Sequence, residues 1–94
     1  MRLQYAPIET SVQIPAQFLI IAPKRHFPAA HDRNFIKRCI REAVRKEKNV
    51  LNIALAAHSK NMAFAITYTG KQKPIAAEIH KGVAQLFSTY IAQL

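Results

Sequence analysis

The chain has 94 residues, half of them hydrophobic, enough for one small domain with its own core and too apolar for wholesale disorder. Its 14 Lys and Arg against 5 Asp and Glu leave a net charge of +9, which calls for an anionic partner: nucleic acid first, an acidic membrane surface or acidic protein behind it. Two glycines argue against a Gly-rich phosphate loop or a low-complexity tail, and the single Cys39 excludes an internal disulfide and a cysteine zinc site.

Leu3 to Glu9 reads as a weak strand interrupted at Pro7, which suits a sheet edge or a bulge. Thr10 to Ala16, with Pro15, reads as a turn or loop. Gln17 to Ala22 is a short, continuous apolar run of the kind a buried strand uses. It is far too short to span a bilayer, and no apolar segment of signal-peptide length follows Met1 and Arg2, so a cytoplasmic protein is expected. Pro23 to Ala30 carries two prolines and is irregular. Asp32 is placed to cap a helix from about Arg33 to Lys48, and Val50 to Ala57 either extends it or forms a second one.

Met62 to Thr69 alternates with period two, Met62, Phe64, Ile66 and Tyr68 on one side and Ala63, Ala65, Thr67 and Thr69 on the other. Gly70 ends this strand, and Pro74 fits the first position of a closing helix. That helix is marked by Ile75, Ile79, Val83, Leu86, Phe87, Tyr90, Ile91 and Leu94. The expected fold is α+β: a single sheet of three or more strands packed with two helices, in the order β-β-α-β-α, one domain over residues 1–94.

The charge is concentrated. Between Pro23 and Lys48 lie nine bases, opposed only by Asp32, Glu42 and Glu47. At about 100° per residue, Arg33, Asn34, Lys37, Arg38, Arg41, Arg45 and Lys48 fall within an arc of roughly 140°. Ile36, Cys39, Ile40, Ala43, Val50 and Ala54 fall on the other side. Like charges four residues apart destabilise a helix, by a few tenths of a kcal/mol per pair. Such a stripe matches a phosphate backbone, where each Lys or Arg displaces a condensed counterion; a solvated face or an acidic protein partner is the competing reading.

The run Arg33-Asn34-Phe35-Ile36-Lys37-Arg38-Cys39-Ile40-Arg41-Glu42-Ala43-Val44-Arg45 resembles the arginine-rich helix of the bacterial ribonuclease P protein component, which typically reads RNRxKRxxREAxR. Ala30 fits the family's entry to that motif, and Ala22-Pro23-Lys24-Arg25 looks like its preceding strand end. Phe64-Ala65-Ile66 followed by Tyr68-Thr69-Gly70-Lys71 resembles a variant of its fourth strand.

The resemblance implies an RNA-binding subunit that helps a catalytic RNA remove the 5′ leader of precursor tRNA. The protein would carry no catalytic residue, and Mg²⁺ would act through the RNA. It also implies a left-handed βαβ crossover from the strand at 17–22 through the basic helix to the strand at 62–69. Carried over by position, Arg33, Asn34, Lys37, Arg38, Arg41 and Arg45 would contact the RNA, with Lys24 and Arg25 flanking the leader. Tyr5 would be a cleft aromatic. Phe64, able to stack on a base, is grouped with it, although a half-buried strand also needs such a ring for packing.

Three departures from the family pattern bear on this. Phe35 stands for the motif's second arginine, and Ala29 for a usual lysine or other polar residue. The chain also starts inside what would be the family's second strand, so the first helix and first strand are expected to be lacking. Sheet surface left bare would then invite a homodimer. The alternative function is a shortened relative that binds structured RNA or DNA non-specifically; a third is a module docking on an acidic protein.

Other chemistry is weakly represented. His26, His31, His58 and His80 lack metal-ligand spacing, and Glu9, Asp32, Glu42, Glu47 and Glu78 form no carboxylate pair. Glu42 is expected to pair with Arg38 or Arg45, and Cys39 to be a small core residue.

Overall fold

The period-two strand expected over Met62 to Thr69 is the middle strand of the sheet and ends at Thr67. In the computed structural model, which describes residues 1–8 and 16–94, Met62, Phe64 and Ile66 are buried and Ala63 and Ala65 half-buried. This strand, β3, lies between β1 (Arg2–Pro7) and β2 (Ala16–Ile21). β1 pairs with it antiparallel, Tyr5 opposite Phe64; β2 pairs parallel, Phe18 opposite Phe64. The sheet is therefore mixed, and the fold is α+β in the element order β-β-α-β-α. Parallel neighbours need a long crossover, which the first helix supplies.

Pro7 closes the outer strand opposite Met62, at an edge where its missing N–H costs least. Glu9 and the loop expected over Thr10 to Ala16 lie outside the described residues, except for Ala16, which opens β2.

The apolar run at 17–22 does not form a strand buried on both faces. β2 is an edge strand whose Phe18 and Ile20 turn toward the core while Leu19 stays 60% exposed. A continuous apolar run does not say whether a layer covers its second face, and Gln4, Ala6, Gln17 and Leu19 on that face are all exposed.

The basic segment and Val50–Ala57 form one helix, α1 (Ala30–Ala57). Asp32 is not its cap. Ala29 holds that position in an extended conformation with no side-chain hydrogen bond. Asp32 sits inside the first turn, where a carboxylate is favoured by the positive end of the helix dipole. There it lies 3.5 Å from Lys73 and 3.4 Å from His31. The other end closes through left-handed Ser59 (φ 54°), with Lys60 N–H donating to Leu55 O and Ser59 N–H to Ala56 O, a Schellman motif without its usual glycine.

Twenty-eight helical residues extend about 42 Å, twice the roughly 20 Å of a six-residue strand. The last turns of α1 therefore outrun the sheet. Leu51 and Leu55 remain fully buried, but Val50, expected on the core side, is 61% exposed. The closing helix, α2 (Ala76–Ala92), starts two residues beyond Pro74: Ile75 is its cap and is exposed, and Pro74 lies buried just before it.

The core lies between the inner sheet face and the helices. Phe64 stacks on Phe18 at 5.5 Å and meets Tyr90 of α2 edge-on at 5.1 Å. Ile36, Ile40, Leu51 and Leu55 of α1 join Ile79, Val83 and Phe87 of α2 in the same cluster.

Candidate nucleic-acid interface

The buried side of α1 fixes its roll, and so decides which charges face outward. Asn34, Arg38, Arg41, Arg45 and Lys48 are exposed along one side; Arg33 and Lys37, nearer the core boundary, are half-buried. Ile36, Cys39, Ile40 and Ala43 are buried on the opposite side, as their spacing predicts.

The cations of the stripe are not equivalent. Arg33 Nη1 donates to the carbonyls of Phe27 and Pro28, both at 2.8 Å, and ties the irregular approach to the first turn of α1. Arg33 is thus a clamp on the fold, and little of its expected phosphate contact remains on that nitrogen. Charged hydrogen bonds of this kind contribute about 1.5–3 kcal/mol when enclosed, and less here in a half-buried setting. Arg33→Ala is expected to lower stability by about 1 kcal/mol, read in urea as a lower midpoint with an unchanged slope.

Arg45 pairs with Glu42 within the helix, through Nε at 3.3 Å and through Nη2 to the second carboxylate oxygen. The hydrogen bond from Arg45 holds the Glu42 carboxyl below its ordinary range, and Glu42 in turn raises the Arg45 guanidinium. Arg45 presents a partly neutralised charge. Arg38 and Arg41 make no ion pair among the described residues.

Beside them is a depression of about 500 Å³ lined by His31, Asn34, Phe35, Arg38, Arg41 and Lys73. The Phe35 ring lies 4.9 Å from Lys73 Nζ and 6.0 Å from Arg38 Cζ. Lys73 comes from the β3–α2 connection, and nothing in its sequence neighbourhood points to α1; only the tertiary fold joins them.

Lys24 and Arg25 are exposed in the turn after β2, apart from the helix stripe in sequence. The two proposed cleft aromatics fare differently. Phe64 is only 2% exposed, its ring enclosed by Phe18, Phe87 and Tyr90, so it is a core residue and offers no face to a base. Tyr5 is 48% exposed but turns toward α2, edge-on to Tyr90 at 4.7 Å and donating its hydroxyl to Gln93 Oε1. The open sheet face instead carries Gln4, Ala6, Gln17 and Leu19, with Ala63 and Ala65 between them. The small alternate residues of β3 were its sequence signal.

No three His, Cys, Asp or Glu side chains come together among the described residues, and Cys39 is buried. No described helix is long and apolar enough to cross a membrane.

The family model described as Ribonuclease P matches residues 1–88. The ribonuclease P protein component of Chlorobaculum tepidum is 50% identical over 50 residues, covering 53% of this chain and 32% of that relative. The aligned stretch thus spans about a third of the relative's length. No solved structure matches the chain.

Proposed function

The chain belongs to the ribonuclease P protein family, and from that membership we propose that it is the RNA-binding protein subunit of ribonuclease P, assisting a catalytic RNA in removing the 5′ leader from precursor tRNA. The observation that carries the reading is the exposed side of α1, where Arg38 and Arg41 have no ion-pair partner among the described residues, on a helix whose roll is locked by its buried side. A rigid helix presents such charges at fixed spacing, so an RNA backbone can engage several at once without ordering each side chain separately. Each contact displaces a condensed counterion, and the entropy gained drives binding.

Asn34, Lys37, Arg38, Arg41 and Arg45 are assigned to the ribonuclease P RNA, with Arg33 bracing the first turn beneath them. Lys24 and Arg25 flank the path of the precursor tRNA leader, which in this reading crosses the open face at Gln4, Ala6 and Leu19 in place of a second copy of the chain. The described acids, Asp32, Glu42, Glu47 and Glu78, are scattered and partly committed to Lys73 and Arg45. In this reading the Mg²⁺ chemistry belongs to the RNA subunit, and this chain contributes binding and orientation.

Reconstitution tests the assignment. The protein is mixed with the ribonuclease P RNA of its own source at a Mg²⁺ level too low for the RNA alone, and leader release from precursor tRNA is followed. Stimulated cleavage is the expected result. Binding without stimulation would favour a general structured-RNA-binding module, and neither binding nor stimulation would overturn the assignment.

A further inference from the structure

Phe35 interrupts the run of cations on α1, yet it gathers two of them. Its half-buried side chain packs against the core, and Lys73 Nζ stands 4.9 Å and Arg38 Cζ 6.0 Å from the ring centroid. An aromatic face attracts ammonium and guanidinium groups by about 0.5–1 kcal/mol at exposed sites, enough to bias where flexible side chains rest. Arg41 lines the same depression. Three cations therefore converge on one concavity, and a carboxylate, Asp32, stands 3.5 Å from Lys73. Lysine has three N–H donors, so Asp32 can hold the ammonium in place and leave donors facing outward. The guanidinium and ammonium groups offer donors and no acceptor, a set suited to an anion with several oxygens.

We propose that Lys73, Arg38 and Arg41 form a phosphodiester clamp on the Phe35 ring, so that the RNA backbone bound along α1 continues onto the β3–α2 connection. This rests on the ribonuclease P assignment and extends the interface to a second element. Phe35 is a positioning residue in it: the ring touches no phosphate and holds Lys73 and Arg38 where they do.

Salt dependence of binding to the ribonuclease P RNA provides the test. One phosphate contact contributes about 0.7–0.9 to the logarithmic salt slope, so Lys73→Ala should lose about threefold less affinity than the parent between about 50 and 200 mM salt. Lys60→Ala, which removes an exposed lysine outside the depression, should leave the slope at the parent value. Phe35→Tyr should keep the parent slope. Phe35→Leu, apolar but without a ring, should shrink the effect of adding Lys73→Ala, a non-additivity that packing alone would not produce. An unchanged slope in Lys73→Ala, or an equal change in Lys60→Ala, overturns the clamp while the parent's binding keeps the subunit assignment standing. A parent chain that does not bind the RNA removes both.

Discussion

Replacing Arg38 and Arg41 together by alanine is expected to lower affinity for the ribonuclease P RNA about a hundredfold and to flatten the salt dependence by nearly two logarithmic units. The estimate follows from two exposed guanidiniums, each worth about tenfold, or about 1.4 kcal/mol. The fold should not suffer. Both side chains lie on the outer face of α1, alanine is the better helix former, and the change removes like-charge neighbours such as Lys37–Arg41 and Arg41–Arg45. A thermal midpoint equal to or slightly above the parent's would therefore accompany the loss of binding. Arg45→Ala alone should cost less than Arg41→Ala alone, because Glu42 already shares the Arg45 charge. A double variant with the parent's salt slope would take α1 out of the interface and leave Lys24, Arg25 and the sheet to account for any RNA binding.

What could be read from the sequence was whatever depends on neighbours along the chain. The period-two pattern over Met62 to Thr69 gave a strand, which ends two residues earlier at Thr67, and the 3.6-residue spacing of Ile36, Cys39, Ile40 and Ala43 gave the buried side of α1, with the basic stripe opposite. The Glu42–Arg45 pair was equally local. The failures share a different cause. Whether Leu19 is covered depends on what packs over the second sheet face, and a six-residue apolar run contains no information about that. Asp32 has the chemistry of a cap, but the chain enters helical geometry at Ala30, so the acid falls inside the first turn and turns to Lys73. Arg33 sits at the boundary between stripe and core, where its Nη1 also donates to the carbonyls of Phe27 and Pro28, a bracing role the stripe alone does not reveal. Lys73 reaches Phe35 only because β3 returns the chain beside the start of α1. The candidate interface was thus legible as a helix face and illegible as a surface built from two elements.

Phe64 is where the structural and functional readings of one aromatic separate most sharply, and its truncation should be the most damaging single change to the fold. The ring is 2% exposed, stacked on Phe18 at 5.5 Å, edge-on to Tyr90 at 5.1 Å and within 6.4 Å of both Tyr5 and Phe87. Phe→Ala at such a site costs about 3–5 kcal/mol, from lost transfer energy and the cavity left behind. Domains of this size have about 5–15 kcal/mol in total, so Phe64→Ala should leave a protein that unfolds near ambient temperature or in low urea. Destabilisation of that size would lower apparent RNA binding whatever the ring's role, so Phe64→Leu is the more discriminating variant. It keeps most of the apolar volume and should cost less stability, yet it removes any ability to stack on a base. Base stacking on an aromatic is worth about 1–3 kcal/mol, or roughly 5- to 150-fold in affinity. A core residue predicts that folded Phe64→Leu binds RNA and leader-bearing tRNA like the parent, with a lower urea midpoint as the only change. A stacking loss with the midpoint intact would mean that the sheet opens at Phe64 to admit a base, and would return this ring to the substrate path.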